Sequence, residues 1–190
     1  MRRFLHRAVS LLVILLGAQS AFADRPVVYT RYNIHVWDKV TKDGGHEYHA
    51  SYANYTDPGT GHFVIPAGST ITVLWVRNDF KFRVESDKKE VDFEFHSSRM
   101  GMSVEQYIEK ITSPTPVTFD KLSELDSKGI AEGKALVGMS KEGVMTALGY
   151  PATHRTPTLD SPAWVYWTNR FKSIAVTFDK DGKVVKGSRD

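Results

Sequence analysis

The sequence predicts an α+β protein, in which a small antiparallel β-sheet or barrel is followed by two helices packed on a three-stranded antiparallel sheet. Two observations indicate this fold class. Between Val27 and Phe95, apolar and polar residues alternate with the period of two that is typical of half-buried strands. Helical spacing of apolar residues begins only after Met102, and alternating segments return after Trp164.

Five strands are predicted in the N-terminal part, each bounded by turn residues. They cover residues 28–37, 47–55, 70–76, 80–85 and 90–95. Glycine and proline favour a bend in the turns that separate the first three, which contain Asp43-Gly44-Gly45, Asp57-Pro58-Gly59 and Ile65-Pro66-Ala67-Gly68.

A first helix is predicted after Ser103, which can cap it with Gln106 at the reciprocal position of a capping box. The apolar residues that follow share one helical face: Val104, Tyr107, Ile108 and Ile111. Ser113-Pro114-Thr115-Pro116 ends the helix and forms a natural linker. We therefore expect a leader of residues 1–23, a β-rich domain of residues 24–112, a linker of residues 113–118 and a C-terminal domain of residues 119–190.

Two helices and three strands are predicted in the C-terminal domain. The first helix covers residues 120–127, and we expect it to end at Gly129 in a left-handed cap. Ser140 caps the second helix, residues 141–148, which ends at Gly149. The strands are predicted at residues 164–167, 174–178 and 183–186, the last two joined by the hairpin turn Asp179-Lys180-Asp181-Gly182.

The leader has the pattern of a secretory signal peptide. Its features are the basic residues Arg2, Arg3 and Arg7, an apolar run over residues 8–16, and the small-x-small sequence Ala21-Phe22-Ala23. The apolar run is about half of the roughly 20 residues that a spanning helix needs, which favours cleavage over anchoring. We expect cleavage after Ala23 to release a periplasmic protein, peripheral to the outer membrane if a partner holds it there.

Composition excludes several classes of protein. The chain has no cysteine, which rules out a lipid-modified N-terminal cysteine, a disulfide and a thiolate metal site. The leader contains three of the 25 Lys and Arg and none of the 22 Asp and Glu, so the remainder has 22 of each sign. A chain near neutrality lacks the field that attracts nucleic acid or anionic lipid. We therefore expect no nucleic-acid partner and no direct lipid anchor.

The C-terminal third resembles a known family. The resemblance rests on Gly138-Met139-Ser140, Leu148-Gly149-x-Pro151, Trp164-x-Tyr166, Val176-x-Phe178 and Asp181-Gly182, in this order. These motifs are similar to those of the SmpA/OmlA family, the small BamE-like outer-membrane lipoproteins. The resemblance implies two helices followed by an antiparallel sheet, a place in the machinery that inserts β-barrel proteins into the outer membrane, and no enzymatic activity.

This chain departs from the family in two ways, since it lacks the lipobox cysteine and has an additional β-rich N-terminal part. These departures concern membrane attachment and the N-terminal part, and they leave the expected fold of the C-terminal part standing. The turn and strand Ile65-Pro66-Ala67-Gly68-Ser69-Thr70 also resemble, weakly, part of the bacterial SH3-like wall-binding domains.

Histidines offer the first candidates for chemistry. His46 and His49 flank Glu47 and Tyr48, and imidazole is a favoured zinc ligand. This spacing is not H-E-x-x-H, and residues three apart on a strand point to opposite faces. Surface or packing roles are therefore favoured over a metal site, and we predict no metal and no cofactor.

Other motifs predict no catalysis. Ser86-Asp87-Lys88-Lys89 has the spacing S-x-x-K but lies in a predicted turn without the accompanying motifs of serine acyltransferases. Asp179-Lys180-Asp181-Gly182 begins like a calcium loop but lacks the later ligands. We therefore predict no catalytic residues and expect that the protein is not an enzyme.

Aromatic residues are better candidates for binding. We predict a protein-binding surface of four residues around one turn: Tyr166, Trp167, Arg170 and Phe171. Tyrosine, tryptophan and arginine are enriched at protein–protein hot spots, although burial in the core explains these residues equally well. Four N-terminal aromatic residues could stack on glycan rings, although such residues are also common in barrel cores: Tyr48, Tyr52, Tyr55 and Phe63.

Two functions follow from the sequence. The favoured one is a non-enzymatic periplasmic protein that docks on an envelope protein complex, in outer-membrane assembly or maintenance. The alternative is a binding module for peptidoglycan or another envelope saccharide, through the N-terminal β domain.

Overall fold

A computed structural model describes residues 25–187, so the predicted leader lies outside the described part of the chain. Those residues are mostly β-sheet, with a curled sheet of eight strands that forms a half-barrel and a separate sheet of three strands. Four short helices account for 18% of the described residues. No helix within this range is long and apolar enough to cross a membrane.

The elements have the following bounds. The large sheet contains β1 (Val27–Thr30), β2 (Ile34–Val40), β3 (His46–Ser51), β4 (His62–Ile65), β5 (Thr70–Val76), β6 (Phe80–Val84), β7 (Glu90–Glu94) and β8 (Thr112–Ser113). The small sheet contains β9 (Ala163–Trp167), β10 (Ser173–Phe178) and β11 (Val184–Lys186). The helices are α1 (Ser97–Met100), α2 (Val104–Ile111), α3 (Glu124–Glu132) and α4 (Lys141–Leu148).

The large sheet is built from two groups of strands that meet along one parallel pair. Its order is β4-β2-β3-β7-β6-β5-β1-β8, and that of the small sheet is β11-β10-β9. Neighbours in the large sheet are antiparallel except β3 and β7, which run parallel from Tyr48↔Val91 to Ser51↔Glu94. The N-terminal sheet is therefore mixed and larger than predicted.

The predicted fold class is wrong, because the C-terminal part is not two helices laid on a three-stranded sheet. Helix α3 buries only Asp126 and Gly129. The carbonyl groups of Ile130 and Ala147 accept hydrogen bonds at 2.7 and 3.2 Å from the side-chain amide of Asn33, next to β2. Both helices are thus attached to the large sheet, an arrangement that apolar spacing in the sequence does not reveal.

Capping explains where the helices begin. In α2, Ser103 and Gln106 form the predicted capping box, and Ser140 caps α4 by accepting a hydrogen bond from the backbone N–H of Gly143. The predicted bounds of α3 are wrong, because this helix begins after Ser123, whose side chain forms a capping box with Asp126. It ends at Gly133, with φ of 62°, so the left-handed cap is four residues later than Gly129.

The single strand predicted over residues 28–37 is interrupted. Between β1 and β2 the chain leaves the sheet, and the backbone N–H of Arg31 donates to Ile111 O at 2.8 Å. Two residues later, the N–H of Asn33 donates to Thr146 O, also at 2.8 Å. This break attaches the first two strands to the C-terminal ends of α2 and α4.

Two hydrophobic clusters make up the core. In the first, α2 packs on one face of the large sheet, and its most buried members are Val36, Ile71, Phe80, Phe82, Val91, Met100 and Tyr107. In the second, α4 packs with the small sheet, and its most buried members are Met139, Val144, Leu148, Trp164, Tyr166 and Val176. The opposite face of the large sheet carries polar side chains along much of β3, β6 and β7, among them Glu47, His49, Lys81, Arg83, Glu90 and Asp92.

Candidate functional site

The turn between β9 and β10 is a fixed structure at the surface. The side-chain oxygen of Asn169 accepts hydrogen bonds from the backbone N–H groups of Phe171 and Lys172, at 2.9 and 3.0 Å. The N–H of Thr168 donates to Lys172 O at 2.9 Å and closes the turn. Phe171 is 91% exposed at its tip. An aromatic side chain is thus presented to solvent on an ordered backbone.

Backbone hydrogen bonds join this turn to the loop that follows β3. The N–H of Thr56 donates to Trp167 O at 2.8 Å, and the N–H of Asp57 donates to Thr168 O at 2.9 Å. Because both bonds lie at the base of the turn, they fix its position relative to the large sheet. Residues far apart in the sequence therefore form one surface.

A cleft of about 490 Å³ lies between the turn and the large sheet, and we call it the hairpin cleft. Its residues come from both parts of the chain: Trp37, Tyr55, Pro58, Asn169, Arg170 and Phe171. The rings of Trp37 and Tyr55 meet edge to face, with centroids 5.6 Å apart. The cleft thus has largely apolar walls with an arginine at its rim, which is typical of a binding pocket.

Neighbouring groups shift the pKa of the Tyr55 hydroxyl in opposite directions. Burial raises its pKa above the usual value, and the charge of Glu94 raises it further. The Arg170 guanidinium opposes both, through its charge and a hydrogen bond. Tyr55 therefore stays protonated at neutral pH and can donate a hydrogen bond inside the cleft.

A second depression of about 500 Å³ continues from the hairpin cleft across the polar face of the large sheet, and we call it the sheet-face groove. The two share Trp37 and Arg170. The other side chains that define the groove include Lys39, His49, Trp75, Asp79, Asp92 and Glu94. Its lining combines both signs of charge with two indole rings.

The four residues predicted to bind protein do not form one surface. Arg170 and Phe171 line the hairpin cleft. Tyr166 is 1% exposed, and its hydroxyl donates to Gly149 O at 3.2 Å. Trp167 is half-buried and stacks on His154, with centroids 5.3 Å apart. Since β9 alternates, Tyr166 points into the second core while Trp167 points away from it.

The four residues predicted to bind a ligand are also divided. Only Tyr55 lines the hairpin cleft. Tyr52 is 3% exposed, and its hydroxyl accepts a hydrogen bond from Arg99 at 2.6 Å. Tyr48 and Phe63 meet edge to face at 5.8 Å. Lys89 Nζ covers both of these rings, at 5.7 and 6.0 Å from their centroids.

The histidines of the sequence motif lie on different faces of β3. His46 Nδ1 is 2.7 Å from an Asp38 carboxylate oxygen, and its ring stacks on Tyr48. His49 stacks on Trp37 instead, at 5.4 Å. Within residues 25–187, no group of three or more His, Asp or Glu side chains is arranged to hold a metal ion.

A separate pair of histidines lies where α4 meets β2, with His35 buried and His62 half-buried. His35 Nε2 donates to Ala147 O at 3.0 Å, so His35 Nδ1 accepts from His62 Nε2, also at 3.0 Å. Burial lowers the pKa of His35 to about 4, although the bond to the Ala147 carbonyl acts in the opposite direction. The pair therefore stays neutral at pH 7 and contributes to packing.

Trp37 and Trp75 were not among the site residues predicted from the sequence. Each is followed two positions later by a basic residue, Lys39 after Trp37 and Arg77 after Trp75, and that contrast was the available signal. The pairing of β5 with β6 shifts register between Val73 and Trp75. Alternation alone therefore does not show which face of the sheet Trp75 lies on.

Comparisons with protein-family models, with curated proteins and with solved structures found no match to this chain. The resemblance of the C-terminal part to the SmpA/OmlA family and that of Ile65-Pro66-Ala67-Gly68-Ser69-Thr70 to SH3-like domains therefore stay predictions.

Proposed function

We propose that this chain is a non-enzymatic protein-interaction module of the bacterial cell envelope, which binds a partner protein through the hairpin cleft. The observation on which the proposal rests is Phe171, a 91% exposed aromatic side chain on a turn fixed by Asn169. A large apolar side chain held in solvent loses little conformational freedom on binding and gains the full benefit of burial.

The chemistry around Phe171 favours one kind of partner segment. Arg170 and Lys172 flank the phenylalanine, so the tip is basic and aromatic. Trp37, Tyr55 and Pro58 form an apolar wall beside it. An acidic segment with one large apolar side chain would place that side chain in the cleft and its carboxylates against the two cations.

The envelope location is supported by the sequence alone. The leader pattern of residues 1–23 supports export, and the resemblance to the SmpA/OmlA family supports a role in outer-membrane assembly or maintenance. With no cysteine in the chain, attachment to the membrane would depend on the bound partner rather than on a lipid.

Site-specific photo-crosslinking in the native cell tests the proposal. Benzoylphenylalanine replaces Phe171 in the full-length protein, and the control places it at Val185, which is 54% exposed in β11. We expect one discrete crosslinked product from position 171 and none of the same mass from position 185. The product is identified by mass spectrometry, and the partner is then purified.

Binding of the purified partner is measured by calorimetry with wild type, Phe171→Ser and Arg170→Glu. Loss of a buried aromatic anchor at an interface costs about 2 kcal/mol or more, so we expect Phe171→Ser to weaken binding at least about 30-fold. Arg170→Glu should weaken it too, and more at low salt. Equal affinity of all three proteins, or no crosslink at position 171, would refute the proposal.

A further inference from the structure

One line of side chains crosses five strands on the polar face of the large sheet. Cross-strand neighbours are Trp37↔His49, His49↔Asp92, Asp92↔Lys81 and Lys81↔Trp75. Partners in register point to the same face of a sheet, so these five side chains form a continuous row. At about 4.8 Å per strand, the row is roughly 19 Å long.

The row has aromatic ends and a polar centre. Trp37 and Trp75 stand at the two ends, both line the sheet-face groove, and Trp75 is 40% exposed. Between them, His49 offers an imidazole and Asp92 a carboxylate, with 27% and 43% of their side-chain surfaces exposed. Indole faces suit the apolar C–H surface of a sugar ring, and the central groups can bond hydroxyls.

The charges in the row favour an uncharged ligand. Lys81 Nζ and an Asp92 carboxylate oxygen form an ion pair at 3.1 Å, so neither charge needs a counter-ion from a ligand. A charged ligand would have to break this pair at a cost, whereas hydroxyl groups can donate to the carboxylate while the pair stays intact.

The shape of the site agrees with this chemistry. The groove is open, has a volume of about 500 Å³ and is lined by four residues of the row, Trp37, His49, Asp92 and Trp75. A linear ligand whose repeated units each have one apolar face and several hydroxyls could contact both indoles at once. A compact ligand could contact only one of them.

We propose that the sheet-face groove binds a linear, neutral oligosaccharide that lies along the row from Trp37 to Trp75. Trp37 and Trp75 stack on sugar rings at the two ends, and His49 and Asp92 bond hydroxyl groups between them. The predicted ligand residues Tyr48, Tyr52 and Phe63 have no part in this site. The saccharide site shares Trp37 with the hairpin cleft, whereas Trp75 lines the groove alone, so a substitution at Trp75 tests saccharide binding separately from partner binding.

Intrinsic fluorescence of the purified full chain tests the proposal. The four tryptophans include Trp164, which is buried, and Trp167, which packs on His154, so Trp37 and Trp75 should dominate a ligand-induced change. The protein is titrated with penta-N-acetylchitopentaose and, separately, with cellopentaose. We expect saturable quenching or a blue shift with at least one of the two, and confirmation by calorimetry.

Substitutions then locate the site. Trp37→Ala and Trp75→Ala should each weaken binding roughly tenfold, because each removes one stacking surface. Val185→Ser, in the small sheet, is the control and should bind like wild type. Circular dichroism verifies that each variant is folded, and Trp75→Phe, which keeps an aromatic face, should retain most of the affinity.

Two outcomes would overturn the proposal. One is the absence of binding to both pentasaccharides at millimolar concentrations. The other is binding that Trp75→Ala leaves unchanged, since this would place the ligand away from the row. The Trp75→Ala variant is also tested for capture of the crosslinked partner. Retained capture with lost saccharide binding shows that Trp75 serves the saccharide site and not the partner site.

Discussion

Among single residues, His35 makes the folding stability of the protein depend on pH. Its side chain is buried between β2 and α4, and burial lowers its pKa from 6.5 to about 4. Between about pH 6.5 and pH 4 the unfolded chain therefore binds more protons than the folded one, so stability falls as the pH falls across this interval. The loss reaches about 3 kcal/mol below pH 4.

Urea unfolding between pH 7 and pH 4 measures this effect. We expect His35→Gln to flatten the pH dependence, because glutamine cannot take up the proton, while His96→Gln at an exposed position keeps the wild-type slope. Burial lowers the pKa of His62 as well, which adds to the same slope. A wild-type stability that is constant from pH 7 to pH 4 would contradict this account.

The properties of His35 could not be predicted from the sequence. The alternation in β2 places His35 and Trp37 on one face, but the groups that bury the imidazole come from α4, more than 100 positions away. By contrast, the caps Ser103 and Ser140 were predicted correctly, since each depends on residues within one turn of the helix. Residue-level prediction thus succeeded where the determining contacts are local.

At the scale of elements, one carboxylate joins α3 to α4. Asp126 is buried, and its oxygens accept hydrogen bonds from Ser140 N at 2.7 Å and from the Ser123 hydroxyl at 2.8 Å. Burial raises the pKa of this carboxyl, but these hydrogen bonds outweigh burial and leave the pKa below its usual value. The start of each helix therefore depends on the same side chain.

We expect Asp126→Ala to destabilise the protein by about 3 kcal/mol, because it leaves the Ser140 N–H and the Ser123 hydroxyl without their charged acceptor. Guanidinium denaturation followed by far-UV circular dichroism measures the change, with Asp160→Ala at an exposed position as the control. A loss no larger than that of the control would show that the two helices do not depend on this carboxylate.

The same helices show why element boundaries were only partly predicted. Strands β5, β6 and β7 and helix α4 lie where alternation or capping placed them. Helix α3 does not, because Gly129 lies inside it and allows close approach of Met139, while Gly133 supplies the left-handed cap. Two glycines four residues apart are equivalent in the sequence, and only packing distinguishes them.

At the scale of the whole molecule, Asn33 connects the two hydrophobic clusters. Its amide group donates to Ile130 O and Ala147 O, and its side-chain oxygen accepts from Ala67 N at 2.9 Å. Because these partners belong to a turn of the large sheet and to both C-terminal helices, we expect the described part of the chain to unfold in a single transition.

We predict that Asn33→Ala lowers stability by about 3 kcal/mol, since buried carbonyl groups lose their donor. It should also split the single unfolding transition into two. On heating, far-UV circular dichroism and tryptophan fluorescence should then report different midpoint temperatures. Ser86→Ala, in an exposed turn, should unfold like wild type. Two separated transitions already present in the wild type would contradict the connecting role of Asn33.

The candidate site could be predicted only in part, because two distant parts of the chain form it together. The sequence drew attention to Arg170 and Phe171 in one half and to Tyr55 in the other, and the structure brings all three to one cleft. Their meeting depends on backbone bonds between residues 56–57 and 167–168, which involve no side-chain pattern. The sequence therefore identifies these residues as candidates for binding, but it does not show that they form one surface.

The parallel pairing of β3 with β7 has a consequence for synthesis of the chain. Three strands separate the two in the sequence, so the edge of β3 has no partner until residue 94 has emerged from the ribosome. Unpaired strand edges recruit other chains. Premature termination before β7 would therefore release a fragment prone to aggregate, whereas a chain that stops just after β8 has the complete eight-stranded sheet.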